Sequence, residues 1–308
     1  MTVNEKETER HGFFTYCRGS DGEWYVKEQE AAYGSGYKYS DGTRVAESSA
    51  KSYKWFKVEP IYWRVLAKDF DHDKNAGTPG AKFLFAEDIV DRVKYYDNRN
   101  ERNVDGKEIY PNNYKHSKMR AFLNGLDYQK KLESQAQTTN AYYKGNGFLQ
   151  NAFTEARQNQ ILETTVDNSE RSTFPATNPV SNPGDNYEYV MELHDGGKNP
   201  NACEDTRDKI FLLSLQEAST ADYGFEKFNA YGPGNERVRK ATDFAKACQA
   251  YQDASNTAGG WWWLRSPEWE PFCDADAKLI LSGGNLRSNY RRVTTIAPGV
   301  VPALCVSN

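Results

Sequence analysis

The 308-residue sequence contains no run of about 18 apolar residues, so no helix of this chain is expected to span a bilayer. Cysteine is scarce. Cys17, Cys203, Cys248, Cys273 and Cys305 are odd in number, widely spaced and without a CxxC, which excludes a disulfide scaffold and leaves incidental thiols as the plain reading. The four histidines, His11, His72, His116 and His194, fall in no HxH, HxxxH or HExxH arrangement, so a local zinc or iron motif is absent. GxSxG, P-loop and GxGxxG strings are missing too. An excess of one charge is also lacking: 39 basic against 43 acidic residues leave −4, which gives no electrostatic footprint for nucleic acid. MTVNEKETERHGFF has no apolar h-region, so the chain reads either as cytosolic or as a form already stripped of a leader. What the sequence does have is aromatics. Twenty Tyr, 15 Phe and 7 Trp argue against disorder and compensate for a lean 38% of hydrophobic residues, because each buried ring removes a large area from water.

Residues 1–50 alternate weakly and are rich in Gly, Ser and Tyr, which predicts strands and turns leading into the main body. SYKWFKVEPIYWRVLAKD predicts two short strands broken at Pro60, and KFLFAEDIVD a buried strand followed by a short acidic segment. SKMRAFLNGL predicts a short helix with Met119, Phe122, Leu123 and Leu126 on one face. FTEARQNQILET (153–164) repeats that pattern through Phe153, Ala156, Ile161 and Leu162, and VRKATDFAKACQAYQ (238–252) predicts a third helix with Ala241, Phe244, Ala245 and Cys248 inward. Between them, IFLLSL reads as a strand. The stretch 165–208 is dense in Asn, Pro, Gly and Asp and far longer than an ordinary connection, which makes it a functional flap or a surface insertion.

Four of the seven tryptophans crowd into GGWWWLRSPEWEPF, between 261 and 269. Core packing beneath a sheet is one reading and an aromatic floor under a ligand is the other; alternate residues of a strand can do both, because they point to opposite faces. CDADAKLILSGGNLRSNYRRV then predicts a hairpin turning at Ser282-Gly283-Gly284-Asn285, and a last strand begins beyond Pro298-Gly299. Composition shifts here as well. Lys, Glu, Gln, Trp and Met make up 65 of the 308 residues, so an even spread would put about eight among the 37 residues from Phe272 to Asn308; Lys278 is alone. Strands shed Lys and Glu in any case, and that explains part of the shortfall. Two local patterns carry little. Glu268 and Glu270 would sit about 7 Å apart on one face of an extended chain with no acid–base partner specified, and Asp71, Asp73 and Asn75 lack the Gly and distal Glu of an EF-hand loop.

Read in order, FKVEPIYWRVL, LFAEDIVD, SKMRAFLN, FTEARQNQIL, DKIFLLSLQEA, WWWLRSP and PGVVPALCV resemble a bacterial family with a distorted C-type lectin fold, described by a WWLRSP element and a closing GVRPAL strand. The resemblance covers roughly 55–308. Val301 stands where that family usually has Arg, so a role carried by the arginine does not transfer. The implied fold is α+β and similar to that of the formylglycine-generating enzymes, with short helices, a long loop insertion and a C-terminal antiparallel hairpin and strand. It is also the fold of variable proteins of diversity-generating retroelements, and this chain looks like a treponemal member of that group. The implied layout is a single domain over 1–308, with 1–52 as an N-terminal strand extension, 165–208 as the loop insertion and 261–308 as the variable, ligand-binding region.

In such systems a reverse transcriptase mutates template adenines, so AAY codons scatter into NNY codons, which cannot encode Lys, Glu, Gln, Trp or Met. The resemblance therefore turns the depletion after residue 271 into an expectation. Phe272, Asp274, Asp276, Leu279, Leu281, Arg287, Ser288, Asn289, Tyr290 and Arg291 are the expected variable, ligand-contacting positions. Trp261, Trp262, Trp263, Arg265, Pro267, Gly299 and Pro302 are the expected scaffold. The implied function is non-enzymatic binding of an extracellular protein or glycan, without catalytic residues, metal, cofactor or nucleic acid. A monomer at the cell surface or outer membrane is implied, any lipid anchor lying outside this chain; a cytoplasmic placement stays open. Two rivals share the fold. A formylglycine-generating-type oxidase would carry two closely spaced C-terminal cysteines, whereas Cys273 and Cys305 are 32 positions apart. A calcium-dependent lectin would carry EPN, QPD or WND, and the nearest string here is Glu270-Pro271-Phe272.

Overall fold

Alternating charged and apolar residues set up the first layer of the computed structural model, which describes residues 2–74, 77–132, 134–176, 198–226, 234–253, 259–269, 272–286 and 290–308. β1 (Val3–His11), β2 (Phe14–Gly19), β3 (Trp24–Gln29) and β4 (Tyr53–Lys57) pair in that order, all antiparallel. The outer strand β1 is exposed and charged from Asn4 to Arg10, which protects the sheet edge from further pairing. The inner side carries Val26 opposite Phe56, and both join Tyr37, Tyr39 and Val45 in a small core of their own.

Past Pro60 the chain begins a second sheet with β5 (Trp63–Phe70) and β6 (Ala81–Ala86), and the short β7 (Asp88–Ile89) follows outside that sheet. A two-stranded ladder of β8 (Arg102–Val104) and β9 (Lys107–Ile109) precedes α1 (Lys118–Asn124). Ser117 caps α1, its Oγ accepting from the Arg120 N–H at 2.9 Å, and Met119, Phe122 and Leu123 are buried with Leu126 packed against them. That is the face the spacing predicts. β10 (Tyr128–Lys130) pairs with β11 (Thr138–Asn140), and α2 (Phe148–Ala152) and α3 (Glu155–Gln158) follow. Next come β12 (Ile161–Leu162), β13 (Thr164–Val166), β14 (Thr206–Asp208), β15 (Ile210–Phe211), β16 (Lys240–Ala241) and α4 (Asp243–Ala247). The C-terminal part holds β17 (Trp262–Pro267), β18 (Asp276–Ile280), β19 (Tyr290–Arg292) and β20 (Ala303–Ser307).

The main sheet runs β12-β20-β6-β5, with β15 also paired to β20. The last strand of the chain thus lies at its centre, where Ala303 and Cys305 of β20 and Phe83 and Phe85 of β6 are buried. Closing the sheet requires contacts between residues more than 200 positions apart, a topology that folds slowly. The architecture is α+β, with antiparallel strands dominating and short helices.

Three expected elements come out differently. The helix expected over 153–164 is confined to Glu155–Gln158, because Ile161 and Leu162 pair with Val306 and Cys305 of β20. The helix expected over 238–252 shrinks to Asp243–Ala247, because Lys240 and Ala241 pair parallel to Asp88 and Ile89. IFLLSL keeps ladder bonds at Ile210 and Phe211, while Leu212, Leu213 and Leu215 are buried without strand pairing. In each case tertiary pairing overrides a local period, as a short amphipathic segment allows. Residues 177–197 of the long connection lie outside the described residues. Its described ends are tied together: β13 pairs with β14, and Asn199 Nδ2 donates to Thr173 Oγ1 at 3.0 Å.

Candidate functional site

All six residues of β17 are buried, so the tryptophan cluster begins as core. Trp262 packs 5.4 Å from Phe85 and donates its Nε1–H to the Arg237 carbonyl at 3.1 Å, while Trp263 meets Tyr95 edge-on at 5.6 Å. The two rings leave opposite faces of the strand, as alternation requires. Arg265 is 2% exposed and ties β17 to three other segments: Nη1 to the Leu212 carbonyl (2.6 Å), Nη2 to the Asp167 carbonyl (2.9 Å), and both Nη groups to the Glu217 carboxylate. Burial disfavours the guanidinium charge, but Glu217 more than offsets it and holds the pKa above its ordinary value.

The WWLRSP and PGVVPAL elements come together directly. Gly299 donates to the Trp261 carbonyl (2.8 Å) and accepts from Trp263 N–H (3.1 Å), and Pro302 accepts from Ala86 N–H (3.0 Å). A Cβ on Gly299 would stand 2.1 Å from Ile89 Cγ2, so this contact requires glycine. Val301, where the resembling family has Arg, is fully buried.

β17, β18 and β19 form a three-stranded antiparallel sheet with β18 in the middle. The expected hairpin is present, and Gly284 makes it compact: its φ is +73°, and a Cβ there would meet the Gly234 carbonyl at 1.8 Å. The expectation of a freely varying surface fails along β18. Leu279 is 1% exposed opposite Trp263, and Leu281 packs half-buried against the main core, because a central strand covered on both faces has no free side. Leu279 therefore joins no exposed binding face. Lys278 is likewise 1% exposed; it pairs with the buried Glu268 at 2.8 Å and lies 3.4 Å over the Trp269 ring.

The exposed positions flank that buried strand. Phe272 is 100% exposed and sits at φ +69°, a left-handed conformation that costs a bulky residue on the order of 1 kcal/mol. Asp274 and Asp276 are half-buried, and the buried Asn112 holds their backbone, its N–H donating to the Asp274 carbonyl (3.1 Å) and its Nδ2 to the Cys273 (3.2 Å) and Asp276 (3.0 Å) carbonyls. Burial raises the Asp276 carboxyl, with Arg292 opposing and Glu268 adding to it. Tyr290 is half-buried and Arg291 exposed. Arg287, Ser288 and Asn289 lie outside the described residues.

Trp261 parts from its two neighbours. It is half-buried, stacks on Tyr251 (4.5 Å, 28°) and lies under the Arg291 guanidinium (5.2 Å). Tyr251 in turn meets Tyr33 edge-on at 5.7 Å, and Tyr33 is 40% exposed. A row Arg291–Trp261–Tyr251–Tyr33 therefore joins β19 to the N-terminal extension. Tyr33, Tyr251 and Asn112 carry no local sequence signal for this role; they reach the site through pairings far apart in the chain.

The model of the family described as Domain of unknown function (DUF6273) matches residues 79–308. The chain belongs to that family. The DUF6273 match takes in both C-terminal elements and the main sheet from β6 onward, and leaves β1 to β5 outside. No curated protein and no solved structure matches the chain.

Burial pushes the Cys305 thiol up to about 12, the reverse of the lowered value a reactive thiolate needs, and the five cysteines form no disulfide. Among the described residues no group of three or more His, Cys, Asp and Glu could hold a metal ion, and no helix is long and apolar enough to cross a membrane.

Proposed function

We propose that this DUF6273 chain is a non-enzymatic binding protein whose C-terminal face is diversified by adenine-directed mutagenesis on a fixed scaffold. In this reading it is a variable protein of a diversity-generating retroelement, with a C-type lectin fold of the formylglycine-generating-enzyme-like kind, acting at the cell surface on a protein or glycan. The observation that carries the reading is the division between neighbouring residues. Trp262, Trp263, Arg265 and Pro267 are buried, while Phe272 and Arg291 face water. Lys278, the one residue after 271 that an NNY codon cannot encode, sits in the buried set. A fully exposed aromatic in a left-handed conformation contributes nothing to folding, so its presence fits a position selected for contact. The arginine-capped aromatic row of Arg291, Trp261, Tyr251 and Tyr33 supplies the residue types that dominate binding energy.

An NNY-codon library at Phe272, Asp274, Tyr290 and Arg291, displayed and sorted for folding by protease resistance, tests the reading. Most members are expected to stay folded, and selection against a panel of surface proteins and glycans is expected to return different sequences for different targets. A library in which most members unfold would overturn it.

A further inference from the structure

A cavity of about 620 Å³ lies between the β1–β4 sheet and the segments carrying β5, β7, α2 and α4, and no described residue of 261–308 lines it. Its walls are aromatic: Phe14, Tyr16 and Trp24 come from the N-terminal sheet, and Trp63, Phe153 and Phe244 come from the other elements. Trp63 and Phe153 are 6.3 Å apart, and Phe14 meets Phe244 edge-on at 5.6 Å. Val58 and Tyr62 also line it and are 44% and 71% exposed, so apolar surface continues outward into solvent. The volume suits a small organic molecule.

The polar lining is lopsided. Glu59, Asp88 and Asp91 line the cavity, and among the described residues none of the three forms an ion pair. Lys57 contributes the one lysine of the lining and is engaged by Glu23 at 3.3 Å; Glu9 pairs with His11, and Asp243 with Lys246. Among the described residues, the hydrogen bond drawn to the Asp91 carboxylate comes from the neighbouring Arg92 backbone N–H (2.6 Å). The Arg92 guanidinium turns away to the Cys248 carbonyl (2.6 Å) and Gln249 Oε1 (2.7 Å).

Aromatic faces carry negative potential, and free carboxylates beside them add to it, so the arrangement favours a positively charged ligand with an apolar shell. We propose that this cavity binds a small organic cation, an alkylammonium or quaternary ammonium group, seated against the aromatic walls with Asp91 as its counter-ion. The site is independent of the C-terminal face. Burial pushes the Asp91 carboxyl up to about 7, Glu28 adding to it and Arg92 opposing. Tyr16 on β2, Tyr143 ahead of α2 and Cys248 after α4 are coupled to the same carboxyl; burial raises the pKa of each, the Asp91 charge adds to it, and all three are neutral around pH 7. A bound cation favours the ionised carboxyl, so affinity rises as pH increases through 7.

Calorimetric titration of the full chain with choline and with its neutral isostere 3,3-dimethyl-1-butanol tests this. At pH 8 choline is expected to bind about ten-fold more tightly than the alcohol, and the preference is expected to shrink at pH 5.5 and in Asp91→Asn. The wild-type comparison stands alone if that variant misfolds. Equal binding of the two probes, no binding of choline, or equal affinity for methyl glucoside would overturn the proposal.

Discussion

Replacing Arg265 with methionine lowers stability by about 3–5 kcal/mol, which in a chain of this size shifts the melting temperature by roughly 10 °C. The size of the effect comes from what the side chain leaves behind. Its guanidinium ties the carbonyls of Asp167 and Leu212 and the Glu217 carboxylate to β17, and methionine fills the volume without supplying any donor. Glu217 would remain largely buried with no cation beside it. The double variant Arg265→Met, Glu217→Met should recover part of the loss, because it removes the stranded charge as well. By contrast, Phe272→Ala and Arg291→Ala should each change stability by less than about 1 kcal/mol, since one ring faces water entirely and the other side chain lies exposed over Trp261 and donates to the neighbouring Tyr290 carbonyl (2.9 Å). Urea unfolding of the four variants measures all of these differences.

As pH rises from about 4 to about 7 the Asp91 carboxyl should contribute less and less to stability, so Asp91→Asn should gain stability relative to the wild type across that range. In the unfolded chain the Asp91 carboxyl titrates at its ordinary value of 3.8, and in the folded protein burial raises it to about 7. The folded state therefore holds the proton more tightly. The contribution of this group is fully present below the unfolded value and is lost as pH increases through the folded one, by up to about 4 kcal/mol. Because Arg92 opposes the shift and the cavity opens to solvent, the observed loss should lie below that bound. Melting curves at pH 4.5 and pH 7.5 for the two proteins settle the sign through their difference, in which the His116 imidazole, held at about 4 by burial, contributes equally to both: a variant that tracks the wild type, or loses ground to it as pH rises, contradicts the assignment.

Local signals carried the elements whose reasons are local. The break at Pro60, the cap of α1 at Ser117 with its buried face, and the hairpin around Gly284 were all legible, because a proline, a capping serine and a turn glycine act over a few residues. The segments 153–164 and 238–252 misled, because their amphipathic period is weak and the pairings to β20 and β7 that overrule it are far away in sequence. The tryptophan cluster divided along the strand as alternation allows, with Trp262 and Trp263 in the core and Trp261 at the surface. Leu279 is among the expected variable positions, but residue type cannot reveal that a strand is covered on both faces, and Leu279 is buried with its neighbour Lys278. Nothing in the sequence placed Tyr33 beside Tyr251 or gathered the cavity around Asp91, since each depends on how the first sheet packs against the rest.

Sequencing sibling copies of this gene from several isolates bears most directly on the claim that an exposed face varies on a fixed scaffold. The account predicts substitutions gathered at Phe272, Asp274, Asp276, Arg287, Ser288, Asn289, Tyr290 and Arg291, drawn from residues that NNY codons encode, with Trp262, Trp263, Arg265, Lys278 and Gly299 unchanged. Differences spread evenly along the chain, or reaching those five buried positions as often as the exposed ones, would contradict it.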